Sequence, residues 1–186
     1  MSRTEFQGAL SMPVTRDRDH VRGPANAPVT LVQYGDYECP YSGAAYPIIK
    51  DVQSRLNEGL RFVFRNFPIN SHPHAQQAAE AAEAAGSQGK FWEMHDLLFE
   101  NQEHLRDEDV RGYAEKLGLD GELFDKELGE HVHAARVHDD FMSGVRSGVQ
   151  GTPTFYINGV RHDGAYDLEP LLAALEQAGA SEGETG

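Results

Sequence analysis

The chain is poor in three things: it has one cysteine, few basic residues, and no apolar run approaching the length of a membrane span. A single thiol, Cys39, excludes an internal disulfide framework and a cysteine-built zinc cage, leaving either an inert buried thiol or a reactive one. Without roughly 18 to 20 consecutive apolar residues, no segment reads as inserted in a membrane. Residues 1–20 carry Arg3, Glu5, Arg16, Asp17, Arg18 and Asp19 where a secretory leader would be apolar, so the chain as it stands is expected in the cytoplasm. Sixteen Lys and Arg against 30 Asp and Glu give a formal net charge of −14. Phosphate backbones and anionic lipid surfaces demand a cationic patch, so nucleic acid is not an expected partner.

What is present is enough to fold. With 186 residues, 39% hydrophobic and 25% charged, the composition is that of one globular domain, with or without an insertion. The first 25 or so residues show no hydrophobic period and read as an arm, punctuated by Gly23-Pro24 and Ala27-Pro28. Val29 to Tyr34 is a short β-branched, apolar run, a buried strand closed by Gly35-Asp36. From Pro40 to about Leu56, Ala44, Ala45, Ile48, Ile49, Val52 and Leu56 recur at helical spacing; Pro40 is tolerated in the first turn and Pro47 lies inside. Leu60 to Arg65 reads as a second strand, joined to the first by this helical crossover as a parallel β-α-β unit.

The segment from about 75 to 150 is helical throughout, with Gly118 ending one helix and Asp120 capping the next. Residues 80–140 hold 17 acidic and six basic side chains, a solvated face carrying most of the net charge. Strands return at Thr154–Ile157 and Val160–His162 around Asn158-Gly159, a strong hairpin signal, and a closing helix begins near Asp167. Residues after Gln177 lack any period and read as a frayed tail. The expected fold is α/β, ordered β-α-β, helical insert, β-β-α. Its expected divisions are an arm at 1–27, a domain at 28–178 with the insert at about 72–149, and a disordered tail at 179–186.

Cys39 stands where a buried strand gives way to a helix. A thiol at a helix N-terminus faces unpaired N–H groups and the positive end of the macrodipole, both of which favour the thiolate. Such placement lowers a cysteine pKa from about 8.5 into a range of roughly 3.5 to 7.5.

The motif Cys39-Pro40-Tyr41-Ser42 after Tyr34-Gly35-Asp36-Tyr37-Glu38, with Gly151-Thr152-Pro153-Thr154 following a helical insert, resembles the DsbA-like branch of the thioredoxin superfamily. The likeness runs from about Pro24 to Leu175. It implies that Cys39, with Pro40, Tyr41 and Ser42, opens the first long helix, and that Pro153 is a cis proline packing beside it. A cis bond would turn the Thr152 backbone outward as an edge on which an extended substrate pairs. Two departures from the family matter. Ser42 stands where the resolving cysteine would be, and a hydroxyl cannot attack a mixed disulfide at neutral pH. Gln33, six residues before Cys39, stands where relatives often carry an acid. Losing both is what a natural monothiol protein shows; a Cys-to-Ser trapping variant of a dithiol enzyme is the alternative. Ser42 either donates a hydrogen bond to the thiolate or is a plain helix N-terminal polar residue.

No metal site is expected. His131, His133 and His138 do not have the i, i+4 spacing of a helical zinc pair. The resemblance implies that His72-Pro73-His74 can lie near the active-site end, but punctuation before a helix is the preferred reading. His95 and Trp92 read as core and its margin. The expected activity is thiol-disulfide exchange through Cys39 with protein or glutathione disulfides. No bound cofactor is expected, and an external thiol such as glutathione, the candidate co-substrate, resolves the mixed disulfide. Alternatives are a glutathione-dependent isomerase or transferase of the same fold and a non-catalytic peptide-binding module. Related domains also occur fused to membrane proteins, which leaves open a domain of a longer chain.

Overall fold

The computed structural model describes residues 8–183. The strands are β1 (His20–Arg22), β2 (Val29–Gly35), β3 (Leu60–Asn66), β4 (Thr154–Ile157) and β5 (Val160–His162). The helices are α1 (Pro40–Leu56), α2 (Ala75–Ser87), α3 (Phe91–Glu100), α4 (Asp107–Lys116), α5 (Gly121–Gly129), α6 (Ala134–Arg146) and α7 (Leu168–Gly183). The chain divides into two compact units. Of the described residues, one takes 8–35, Ala44–Arg65 and 143–183; the other takes Asp36–Gly43 and Asn66–Met142.

The first unit is built on a mixed five-stranded sheet in the order β1-β3-β2-β4-β5. β1 pairs antiparallel to β3, β2 to β4 and β4 to β5, so the mixed character rests on the β2–β3 neighbours that α1 connects. Five successive residues of β2, Leu31 to Gly35, are buried, as are Phe62 to Asn66 of β3. Such unbroken burial belongs to central strands covered on both faces, which is why the sequence shows apolar runs there and little alternation. α7 packs on β2 through a face that includes the fully buried Leu171 and Leu175. Asn158 and Gly159 both adopt positive φ, 49° and 82°, as a two-residue turn between twisted strands requires. The hairpin register follows from that turn, with Ile157 facing Val160; across the separate β2–β4 pair, Tyr34 faces Thr154.

In the second unit, α2 presents buried Ala78, Ala79, Ala81, Ala82, Ala84 and Ala85, small side chains that let α3 and α5 pack closely against it. Met94, Leu98, Leu105, Val110, Ala114 and Phe124 fill the space between these helices. Gly118 takes φ of 70° beyond α4, and the Asp120 carboxylate accepts a hydrogen bond from Leu123 N–H at the start of α5. Both roles are those the sequence assigns to them.

Two expectations need correction. The arm is not structureless where it is described: His20–Arg22 add β1 to the sheet edge, Ala9 bridges Val160, and Asp19 is buried. Three residues are too few for a hydrophobic period to register. Residues 1–7 of the expected arm lie outside the described residues. The tail is helical as far as Gly183, because Ala178, Ala180, Ser181 and Glu182 sustain a helix without an apolar face to signal it; residues 184–186 lie outside the described residues. The second compact unit runs from Asn66 to Met142 and also takes in the segment around Cys39.

Candidate active site

β2 ends at Gly35, and four residues carry the chain to the first turn of α1. Cys39 occupies the position before that helix, where its carbonyl accepts the N–H of Gly43 at 2.9 Å and its N–H donates to Asp36 O at 3.1 Å. Pro40 and Tyr41 follow as the first helical residues. Cys39 is buried, at 4% exposure, whereas Tyr41 is exposed at 69%. The helix start therefore sets a shielded sulfur beside an open aromatic ring.

Ser42 is fully buried, and its hydroxyl oxygen accepts Asp36 N–H at 3.3 Å. This is a bond back to the chain entering the helix, so Ser42 ties the segment 36–42 into a closed turn.

The segment between β2 and α1 is held from several sides by the helical unit. Asp36 is almost fully buried; its carboxylate accepts Glu38 N–H at 2.8 Å and Ile69 N–H at 2.9 Å, and His72 Nδ1 lies 2.7 Å from it. The Glu38 carboxylate accepts His74 N–H at 3.0 Å and meets His74 Nδ1 at 2.7 Å. The Gln102 amide donates to both Tyr37 O and Cys39 O at 2.9 Å. Gly43 makes this possible, since a Cβ there would collide with the Gln102 side-chain amide. Tyr37 is buried, its ring against Phe99 and its hydroxyl 2.9 Å from His95 Nδ1. Burial, followed by the negative charge of Glu83, Asp96 and Asp140, pushes its phenol well above the usual tyrosine range, so it stays protonated.

His72 and His74 stand at the entry to α2 and also hold the segment before the cysteine, the less favoured of the two readings their sequence position offered, whereas Asp36, Glu38 and Gln102 are the site residues that sequence reasoning passed over. The signal that could have found them was the pairing of two acids just before the cysteine with two histidines spaced alike, Asp36 and Glu38 against His72 and His74. His95 lies where the sequence placed it, in an aromatic core with Phe91, Trp92 and Phe99. His131 and His133 each face a different acid, Glu80 at 3.1 Å and Glu127 at 2.7 Å. No group of three or more His, Cys, Asp or Glu positioned to hold a metal occurs among the described residues.

Thr152 and Pro153 belong to the sheet-bearing unit, immediately before β4, and the bond between them is cis. Gln33 is buried in β2 opposite Phe155, with its Nε2 unpartnered among the described residues.

A strand-to-helix thiol in a mixed sheet with a helical second unit is the architecture of a thioredoxin-like protein. The family model described as Thioredoxin matches residues 15–177, and the chain belongs to that family. It is 51% identical over 170 residues to a protein of Salinispora arenicola (strain CNS-205) named Na(+)/H(+) antiporter NhaA 1, a match covering 91% of this chain and 26% of that one. The chain therefore spans about a quarter of the length of that curated relative. Among solved structures, it is similar to a thioredoxin-like oxidoreductase from Silicibacter pomeroyi DSS-3, at 26% identity and a TM-score of 0.77, covering 89% of this chain and 98% of that one. It is also similar in fold to alpha-DsbA1 of Wolbachia pipientis, at 15% identity and a TM-score of 0.79, covering 95% and 97% of the two chains. No described helix is long and apolar enough to cross a membrane.

Proposed function

We propose that the protein is a monothiol-type thiol-disulfide exchange enzyme whose nucleophile is Cys39. The observation that carries the proposal is the placement of Cys39 at the N-terminus of α1, on a segment pinned by Gln102, His72 and His74. The positive end of a helix dipole favours an anionic sulfur, and a fixed backbone spares the nucleophile part of the ordering cost of attack. The likeness to a thioredoxin-like oxidoreductase supports the same class of chemistry.

With one cysteine and Ser42 in place of a second, the chain completes turnover through an external thiol. The Cys39 thiolate attacks the glutathionyl sulfur of a protein–glutathione mixed disulfide; that S–S bond breaks, and the protein thiolate leaves and takes a proton from water. A second glutathione, losing its proton to water, attacks the same glutathionyl sulfur. Glutathione disulfide forms and Cys39 recovers its thiolate. The sum is one mixed disulfide and one glutathione giving one protein thiol and one glutathione disulfide. The Thr152 backbone is the proposed edge for an extended substrate. The test is reduction of a glutathionylated peptide by glutathione, coupled to glutathione reductase. The native protein is expected to accelerate it and Cys39→Ala to do nothing; equal rates for the two would reject the proposal.

A second reading comes from the length comparison. A chain that is 51% identical to a quarter of a protein named as an antiporter suits a thiol module attached to a membrane transporter. Joined to such an antiporter in proteoliposomes, it is expected to make ion-driven proton flux respond to oxidised against reduced glutathione, with the response lost in Cys39→Ala.

A further inference from the structure

The helical unit holds a polar groove that the exchange chemistry of Cys39 has not used. Two adjoining hollows, of about 510 and 310 Å³, share Gln77, Asp107 and Arg111 as walls and run along α2 and α4. The larger is lined in addition by His74, Arg106 and Glu108. Two of its lining residues stand near the segment that carries the thiol, one by hydrogen bonds and one in sequence. His74 grips the Glu38 carboxylate through both its backbone N–H and its ring, and Glu38 is the residue before Cys39. Arg106 lies four residues beyond Gln102, whose amide donates to Cys39 O.

The charges on this groove stand out against the rest of the segment. Residues 80–140 carry only six basic side chains against 17 acidic ones, yet two of the six, Arg106 and Arg111, face this one hollow. Arg111 already pairs with Asp125 at 2.9 Å, while the Arg106 guanidinium enters no ion pair among the described residues. Asp107 and Glu108 stand beside them, with Asp107 also bonded to the Gln77 amide. Guanidinium groups next to carboxylates, in a hollow whose lining side chains are all polar or charged, recognise a short zwitterionic peptide: its carboxylate takes the guanidinium fork and its ammonium takes the acids.

We infer that this groove is the seat of the glutathionyl group that becomes joined to Cys39, with Arg106 taking a glutathione carboxylate and Asp107 or Glu108 its ammonium. The inference rests on the exchange reading for its chemistry and on the groove alone for binding. Seated so, the glutathionyl sulfur is delivered to Cys39, forms the S–S bond with it, and releases the partner protein as a thiolate that is protonated by water. Glutathione adducts are then preferred over adducts of thiols that lack charged ends.

Two measurements test it. S-methylglutathione, which cannot exchange, is titrated into the 15N-labelled protein; saturable shifts at residues 74–77 and 106–111 are expected in the native protein and lost in Arg106→Glu. Reduction is then compared for one peptide carrying either a glutathionyl or a 2-mercaptoethanol cap. The preference for the glutathionyl cap, as a ratio of kcat/KM values, is expected to fall about tenfold in Arg106→Glu and to be unchanged in Lys116→Glu, the same charge reversal on an exposed residue outside the groove. Absence of saturable binding to the native protein, or an equal ratio in native and Arg106→Glu protein, overturns the inference. Binding in the groove without reduction of either peptide would instead uphold the site and reject the exchange reading.

Discussion

Asp19 and Arg65 show how much one residue pair governs. Both side chains are fully buried, the guanidinium Nε and Nη2 meet the two carboxylate oxygens at 2.8 and 3.0 Å, and Arg65 also donates to Tyr34 Oη at 3.0 Å. Burial alone would raise the Asp19 carboxyl, but the hydrogen bond and charge of Arg65, with Thr15 N–H and Arg18, outweigh it and hold the group below its ordinary value of 3.8. Removing one partner leaves an uncompensated charge in the interior, so Asp19→Ala is expected to cost about 3 to 5 kcal/mol in urea unfolding at pH 7. The sign with pH follows from a depressed pKa. The stabilisation is present above the unfolded value and lost as pH falls through the folded one. The gap between native protein and Asp19→Asn is therefore expected to be widest near neutrality and to narrow as the pH falls below about 4. A gap that stays constant with pH would mean the carboxylate charge contributes nothing.

At the scale of elements, the sequence was legible wherever a repeating pattern met a punctuation residue. β2, α1, β3, the Asn158-Gly159 hairpin and the Asp120 cap all fall where period and turn chemistry place them, because each is decided by residues adjacent in the chain. What the pattern could not supply is what depends on distant residues. β1 exists because His20 to Arg22 find the edge of β3 40 to 44 residues later, and nothing in three residues announces that. The same holds at the site. Cys39 could be picked out from its place between strand and helix, but the partners of its segment come from 30 to 65 residues away: His72 and His74 before α2, and Gln102 after α3. Gln102 is the clearest case, a half-buried glutamine in a loop whose amide satisfies two carbonyls. Gln102→Ala should leave both carbonyls without that donor and lower stability by about 1 to 2 kcal/mol, with faster amide exchange concentrated in residues 36–43. Gly43→Ala should produce the same local signature, because the added methyl displaces the Gln102 amide. Were the exchange pattern of either variant spread evenly over the chain, the amide would not be what fixes the segment.

For the molecule as a whole, charge is the dominant fact. A formal net charge of −14 on 186 residues works against any compact state through self-repulsion, and residues 80–140 carry 11 of those excess negative charges. Salt shortens the reach of that repulsion, from a Debye length of about 30 Å at 0.01 M to roughly 10 Å at 0.1 M. The thermal midpoint is therefore expected to rise when sodium chloride goes from 10 to about 300 mM. Because the excess is unevenly distributed, the gain is expected to be uneven as well. Amides of α3, α4 and α5 should gain more protection from hydrogen exchange than those of β2 and β4, whose segments carry few charges. The Asp19–Arg65 pair lies at zero exposure and is little screened, so the cost of Asp19→Ala should be nearly the same at both salt concentrations. A thermal midpoint that falls with added salt would show that the acidic residues of the helical unit are offset by attractive pairs, such as Arg111–Asp125, to a greater degree than their net count implies. The two responses together separate the diffuse field of the acidic surface from the one buried pair that stands apart from it.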